Sequence, residues 1–193
     1  MTNSRDFILN SIKESNQDKK HTLPSLSENY TIYENKLDYF KQSVEKVGGY
    51  IKELGEMSPE EFLKKNYKNL GIVITTDKNL CQKSLHIKDF EDPHNLKECD
   101  LAIVRGNFGI AENGAVWIRE DINLRALYFI AKKLLIILKK DDILNNMYEA
   151  YQKIDFEKNG FGVFISGPSK TADIEQSLVI GAHGAMECCI LLV

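Results

Sequence analysis

Apolar residues recur along this chain first at helical and then at extended spacing, and the alternation predicts an α/β protein. Arg5–Ile12 predicts a helix capped by Ser4, with Phe7, Ile8 and Ile12 on one side. Lys20–Asn35 is polar, contains Pro24, and reads as a loop or arm. Between Lys36 and Val47, residues Leu37, Phe40, Val44 and Val47 fall at helical spacing, and Gly48-Gly49 ends the run. Tyr50 and Ile51 start a short strand. Ser58-Pro59-Glu60-Glu61 begins the next helix, with Ser58 as cap, Pro59 at the first helical position and Glu61 completing a capping box. Leu70–Thr76 is then a β-branched apolar run, the pattern of a buried strand. Helices alternating with buried strands predict a mostly parallel sheet with helices on both faces.

The middle of the chain breaks that rhythm. After the apolar stretch Leu101–Val104, the run FGIAENGAVWI reads as two strands joined at Asn113-Gly114. Asn-Gly suits a two-residue turn whose residues both take positive φ, so an antiparallel hairpin is expected inside the α/β chain. Leu134–Leu138 is the next strand. Asp141 or Asp142 caps a helix carrying Ile143, Leu144, Met147, Tyr151 and Ile154. Gly160–Ser166 is a strand, Thr171–Ile180 a helix, and Cys188–Val193 a final strand. The expected organisation is one domain over 1–193, with an N-terminal helix and polar arm (1–35) before an α/β core (36–193).

Composition narrows the function classes. The 193 residues are 43% hydrophobic and 27% charged, with a net charge of −3 and no basic stripe of the kind nucleic acid requires. No apolar run approaches the ~20 residues of a membrane helix, and the N-terminus lacks a signal-peptide core, so a cytoplasmic location is expected. None of the four cysteines forms CxxC, and Cys188-Cys189 in a strand point to opposite faces. They read as buried hydrophobes in a reducing compartment, leaving this chain alone without an iron–sulfur or zinc site.

Candidate chemistry concentrates in Ser166–Glu175, between a predicted strand and a predicted helix. There, beyond a strand's carboxyl end, a helix N-terminus would offer unpaired N–H groups to an anion. Ser169 and Thr171 add hydroxyls and Lys170 a positive charge, a set suited to carboxylate or phosphate. The same residues read equally as a capped helix, with Asp173 placed against the helix dipole. A serine precedes Lys170 where a Walker A loop needs glycine. His183, between Gly181 and Gly184, is placed to reach a ligand or move a proton, or simply to bond its own loop. Glu112, at the hairpin tip, is a candidate base or nucleophile, or an ordinary turn carboxylate.

The segment FISGPSKTADIEQSLVIGAHG, Phe164 to Gly184, resembles the signature of the LUD domain, the lactate utilization protein C family. Ser166, Gly167, Pro168, Ser169, Thr171, Asp173, Glu175, Gly181, His183 and Gly184 match it, and GIAENGAVWI (Gly109–Ile118) is similar to the family's AIAETGTV segment. Asn113 and Ala115 stand where threonines are common, Ala185 replaces a proline, and Glu187-Cys188-Cys189 replaces a stretch that usually carries a histidine. The resemblance implies a fold like that of NagB, RpiA and the CoA transferases. It also implies an accessory part in oxidising L-lactate to pyruvate beside iron–sulfur partner proteins, with any clusters on those partners. The alternative is a small-molecule enzyme or sensor binding an anionic metabolite. On that alternative the expected proton-transfer groups are His183 and Glu112. The expected ligand-binding residues are Ser166, Gly167, Ser169, Lys170, Thr171, Asp173, Glu175 and Gly184.

Overall fold

The computed structural model describes residues 3–16, 30–68, 70–120, 124–156, 160–174, 177–181 and 184–193. The chain divides into two compact units, Met1–Tyr30 and Thr31–Val193. The first holds helix α1, Ser4–Asn16. Ser4 already lies inside this helix, and the expected Ser4 cap is instead Asn3, whose Oδ1 accepts the N–H of Arg5 at 3.3 Å. Residues 20–29, most of the polar arm read as Lys20–Asn35, lie outside the described residues.

The second unit opens with α2 (Lys36–Lys46) and β1 (Tyr50–Glu53), then α3 (Pro59–Asn66), β2 (Ile72–Thr75), β3 (Leu85–His86) and β4 (Cys99–Arg105). Both expected helix signals operate. Gly48 takes φ +81 after α2, and Ser58 and Glu61 form the reciprocal capping box of α3. Next come β5 (Phe108–Ile110), β6 (Val116–Glu120), α4 (Leu127–Ile130), β7 (Lys133–Leu138), β8 (Ile143–Leu144) and α5 (Met147–Lys153). The chain continues through β9 (Phe161–Ile165), β10 (Lys170–Ile174), β11 (Ser177–Ile180) and β12 (Glu187–Leu192).

Six strands form one sheet in the order β1-β12-β7-β4-β2-β3, every pair parallel. The central strands are apolar on both faces because both faces are covered. Leu134, Ile136 and Leu138 of β7 join Phe40 and Val44 of α2 and Leu127 of α4 in one core. Leu135 and Ile137 join Phe62 of α3 in the other. The strand period also separates Cys188 and Cys189 onto opposite faces, as expected. Over the α2 face lies a second sheet, β8-β5-β6-β9, in which β5–β6 and β6–β9 are antiparallel and β5–β8 is parallel.

Three local expectations give way. The Asn113-Gly114 hairpin forms, but its loop has four residues, Ala111–Gly114. Ile110 and Ala115 close it with a 2.9 Å bond, and Gly114 alone among its glycines takes positive φ, at +67°. Ile143 and Leu144 do not open a helix; they pair beside β5 as β8, and α5 starts three residues later with Asn146 as cap. Thr171–Ile180 is not a helix but the hairpin β10–β11, paired Lys170↔Ile180 and Thr171↔Val179. Thr171, Ile174, Val179 and Ile180 are β-branched. Such stiff side chains favour extended over helical backbone.

Glu53 ties the carboxyl end of β1 to α2 through Lys41 (2.7 Å) and to the segment after β7 through Lys140 (2.6 Å). Hydrogen bonding to Lys140, then to Lys41, holds the Glu53 carboxyl down from the ordinary 4.5 to about 2. A lowered folded-state value means stability present above about pH 4.5 and lost as pH falls toward 2. Comparing wild type with Glu53→Gln in urea from pH 2 to 7, at low and high salt, is expected to show wild type ahead at neutral pH. The gap closes on acidification and shrinks in salt, because the pair is exposed.

Candidate functional site

The segment 166–170 leaves β9, a strand of the second sheet, and therefore does not extend from the carboxyl end of a parallel strand. It crosses the opposite end. Ser169 donates its N–H to Ala185 O (2.9 Å) just before β12, and its carbonyl accepts the Gly181 N–H (3.0 Å). Since Lys170–Ile174 and Ser177–Ile180 are strands, no helix N-terminus stands among the described residues here, and the expected dipole-assisted anion cradle is absent from them.

What the sequence motifs build instead is a junction of three distant segments. Ser166 Oγ donates to Asn113 O of the hairpin loop (3.0 Å), and Ser43 Oγ of α2 donates to Ala111 O of the same loop (2.7 Å). Gly167 takes φ +72, and a Cβ there would lie 2.5 Å from Val47 O at the end of α2. A Cβ on Gly114 would lie 2.7 Å from Val44 N. Both glycines are thus required twice over, by conformation and by close backbone approach.

Beside this junction is a cavity of about 300 Å³. Its walls are Tyr128, Phe129 and Phe164, and its rim is Ser166–Lys170 with Gly184 and Ala185. Ser166, Gly167, Ser169, Lys170 and Gly184 are therefore brought together. Gly184 sits against Ser169, whose Cβ would be 3.0 Å from a Cβ at Gly184. Thr171 and Asp173 continue along β10. His183 and Glu175 lie outside the described residues. Glu112 does reach the hairpin loop, yet it does not line this cavity: its Oε2 accepts the Met147 N–H at the start of α5 (2.8 Å). Tyr128 and Phe129 carried no signal in the sequence beyond a short apolar run, since only the fold sets α4 beside β9.

All four cysteines are free and buried. Cys99 and Cys188 belong to one core and Cys81 and Cys189 to the other, so their thiols do not converge. Burial pushes Cys188 up to about 12 and Cys99 and Cys189 to about 11, which keeps them protonated and unreactive near neutral pH. Labelling with a thiol reagent at pH 8 is expected to modify none of the four in native protein over a time that labels all four in denaturant. Rapid native labelling of any one would contradict this packing. Among the described residues, no three His, Cys, Asp or Glu side chains are grouped to hold a metal, and no helix is long and apolar enough to cross a membrane.

The fold and junction together define an α/β domain built on a parallel sheet, with a smaller sheet and a glycine-locked loop on one side. The LUD domain matches residues 5–193, and the chain belongs to that family. It is 30% identical over 104 residues to lactate utilization protein C of Oceanobacillus iheyensis, covering 50% of this chain and 45% of that one. The protein of the same name from Geobacillus kaustophilus is 32% identical over 104 residues, covering 50% and 43%. The matching stretches thus span less than half the length of either relative. The crystal structure of a DUF162 family protein from Deinococcus radiodurans superposes with a TM-score of 0.63 at 15% identity, covering 82% of this chain and 96% of that one. That likeness establishes the mostly parallel α/β fold.

Proposed function

We propose that this chain serves lactate utilization as an accessory component of L-lactate oxidation to pyruvate, acting with iron–sulfur partner proteins. The observation that carries the reading is the family match along residues 5–193, joined to relatives named lactate utilization protein C. The cysteine arrangement supports the division of labour. Thiols split between two cores do not suit a cluster, which needs several thiolates around one centre, so electron transfer falls to the partners. The test is dye-linked L-lactate oxidation by the reconstituted partners with and without this chain. A rate that depends on the chain is expected; an equal rate without it overturns the proposal.

A second reading, a small-molecule enzyme or sensor, is favoured by the cavity beside Ser166–Lys170. On that reading Ser169 Oγ and Lys170 bind an anionic metabolite, and His183 handles a proton. General acid–base help of this kind contributes roughly 10²–10⁴-fold, so His183→Ala would lower turnover by that factor while leaving the fold intact. Unchanged turnover removes His183 from the account.

A further inference from the structure

The amino-end cavity leaves the other end of the parallel sheet unexplained. After β2 the chain moves outward to β3, then returns across β2 to β4, β7 and β12. Strand order therefore reverses between β2 and β4, and in open α/β sheets small molecules bind beyond the carboxyl ends at such a reversal. Here Asp77, just after β2, pairs with Arg105 at the end of β4 (3.1 Å), and Gly106 N–H bonds Ile137 O of β7 (2.9 Å). Beside this reversal, over the carboxyl ends of β4, β7 and β12, is a cleft of about 190 Å³ lined by Arg105, Gly106, Asn107, Lys139 and Asp142. A second cavity, of about 330 Å³, shares Asn107 and Asp142 and adds Arg119, Lys153 and Asp155.

The charges around this cleft run against the chain as a whole. Four cations face the two cavities, Arg105, Lys139, Arg119 and Lys153, against the carboxylates of Asp142 and Asp155, in a protein of net charge −3. Asp77 and Asp155 accept from two of the cations: Arg105 donates to the Asp77 carboxylate and Arg119 to the Asp155 carbonyl. Lys153 lies 3.7 Å from Asp142 and over the Phe108 ring. Lys139 heads the smaller cleft and makes no salt bridge among the described residues. Asn107 and Asp142, between the cavities, add an amide and an acceptor suited to a hydroxyl.

We propose that this carboxyl-end cleft is a small-molecule site distinct from the Ser166–Lys170 cavity. Arg105 and Lys139 take the carboxylate or phosphate of a small metabolite, and Asn107 and Asp142 its hydroxyl. The assignment stands independently of the proposed role in lactate oxidation, since it rests on binding alone.

Titration calorimetry of the full chain with L-lactate, pyruvate and inorganic phosphate as separate probes tests it. At least one probe is expected to bind saturably. Lys139→Gln is expected to weaken that probe about tenfold, the effect of losing one charge-assisted contact. Lys65→Gln, an exposed lysine of α3 that lines neither cavity, is expected to leave binding within about twofold. Preference for L-lactate or pyruvate identifies a carboxylate ligand; preference for phosphate identifies a phosphorylated one. Lys139 is exposed, so its replacement leaves the fold intact, and an unchanged melting transition checks this. Absence of saturable binding by all three probes overturns the proposal. So does binding that survives Lys139→Gln or that Lys65→Gln weakens as much.

Discussion

Phe40→Ala is expected to destabilise the protein by about 3–5 kcal/mol, and Gly109→Ala by about 1–3 kcal/mol, with the double variant less damaged than their sum. Phe40 is fully buried on α2 and its ring lies directly over Gly109 of β5. A Cβ at Gly109 would stand 2.8 Å from Phe40 Cε2 and Cζ and 2.9 Å from Leu138 Cδ2. Removing the ring leaves a cavity, whereas adding the methyl to wild type overfills the same space. With the ring gone, the methyl enters the void and keeps only its crowding against Leu138. Urea denaturation of the four proteins in this cycle measures the coupling, expected at about 0.5–3 kcal/mol. For a chain of this length, Phe40→Ala alone is expected to lower the midpoint by roughly 6–20 °C. Strict additivity would mean that α2 and the second sheet do not share this contact, and the description of that core would need revision.

The sequence was most legible where one segment decides its own structure. Runs such as Leu134–Leu138 must be buried on both faces, and a parallel sheet covered on both sides is the natural way to bury them. Ser58–Glu61 specified a helix start through its own hydrogen bonds. Pairings between remote segments left no such trace. Nothing local in Cys188–Leu192 requires that β12 enter between β1 and β7, or that β9 leave the parallel sheet to pair with β6. Thr171–Ile180 was ambiguous for a different reason. The segment followed a strand, where a helix commonly comes next in an α/β chain, but Ile174, Val179 and Ile180 are β-branched and cross-strand pairing decided for a hairpin.

The candidate site divides in the same way. The residues from Ser166 to Lys170 were found because they are contiguous, and the structure does gather them around a cavity. Their assumed setting, a helix N-terminus beyond a parallel strand, depended on two long-range facts that the sequence does not contain. Glu112 shows the same limit. Its place at the hairpin loop was legible from Asn113-Gly114, but its hydrogen bond to Met147 N–H spans 35 positions. A carboxylate accepting from a helix N-terminus stabilises that helix, which is the contact Glu112 makes with α5.

Gly167→Ala is expected to lower stability by at least about 2 kcal/mol, and Gly55→Ala separates the two reasons why. Both glycines have positive φ, +72 and +61, so alanine at either pays the left-handed conformational cost of roughly 1–2 kcal/mol. Around Gly55 a Cβ would meet nothing within 4 Å. At Gly167 it would stand 2.5 Å from Val47 O, a backbone atom that moves only if α2 or the loop moves. The difference between the two variants in urea denaturation therefore isolates the close approach of the 166–170 loop to α2. A substantially larger loss at Gly167 would show that the loop is locked onto the helix end in the folded protein. Equal losses would mean that the loop yields easily, leaving the Ser166–Asn113 hydrogen bond as the main tie between the loop and the hairpin. On the proposed role in lactate oxidation, the reconstituted assay with Gly167→Ala, at a temperature where it remains folded, then divides the roles of the junction. Activity retained would make the lock purely architectural, and activity lost would mean that the loop must be held in this position for the protein to work.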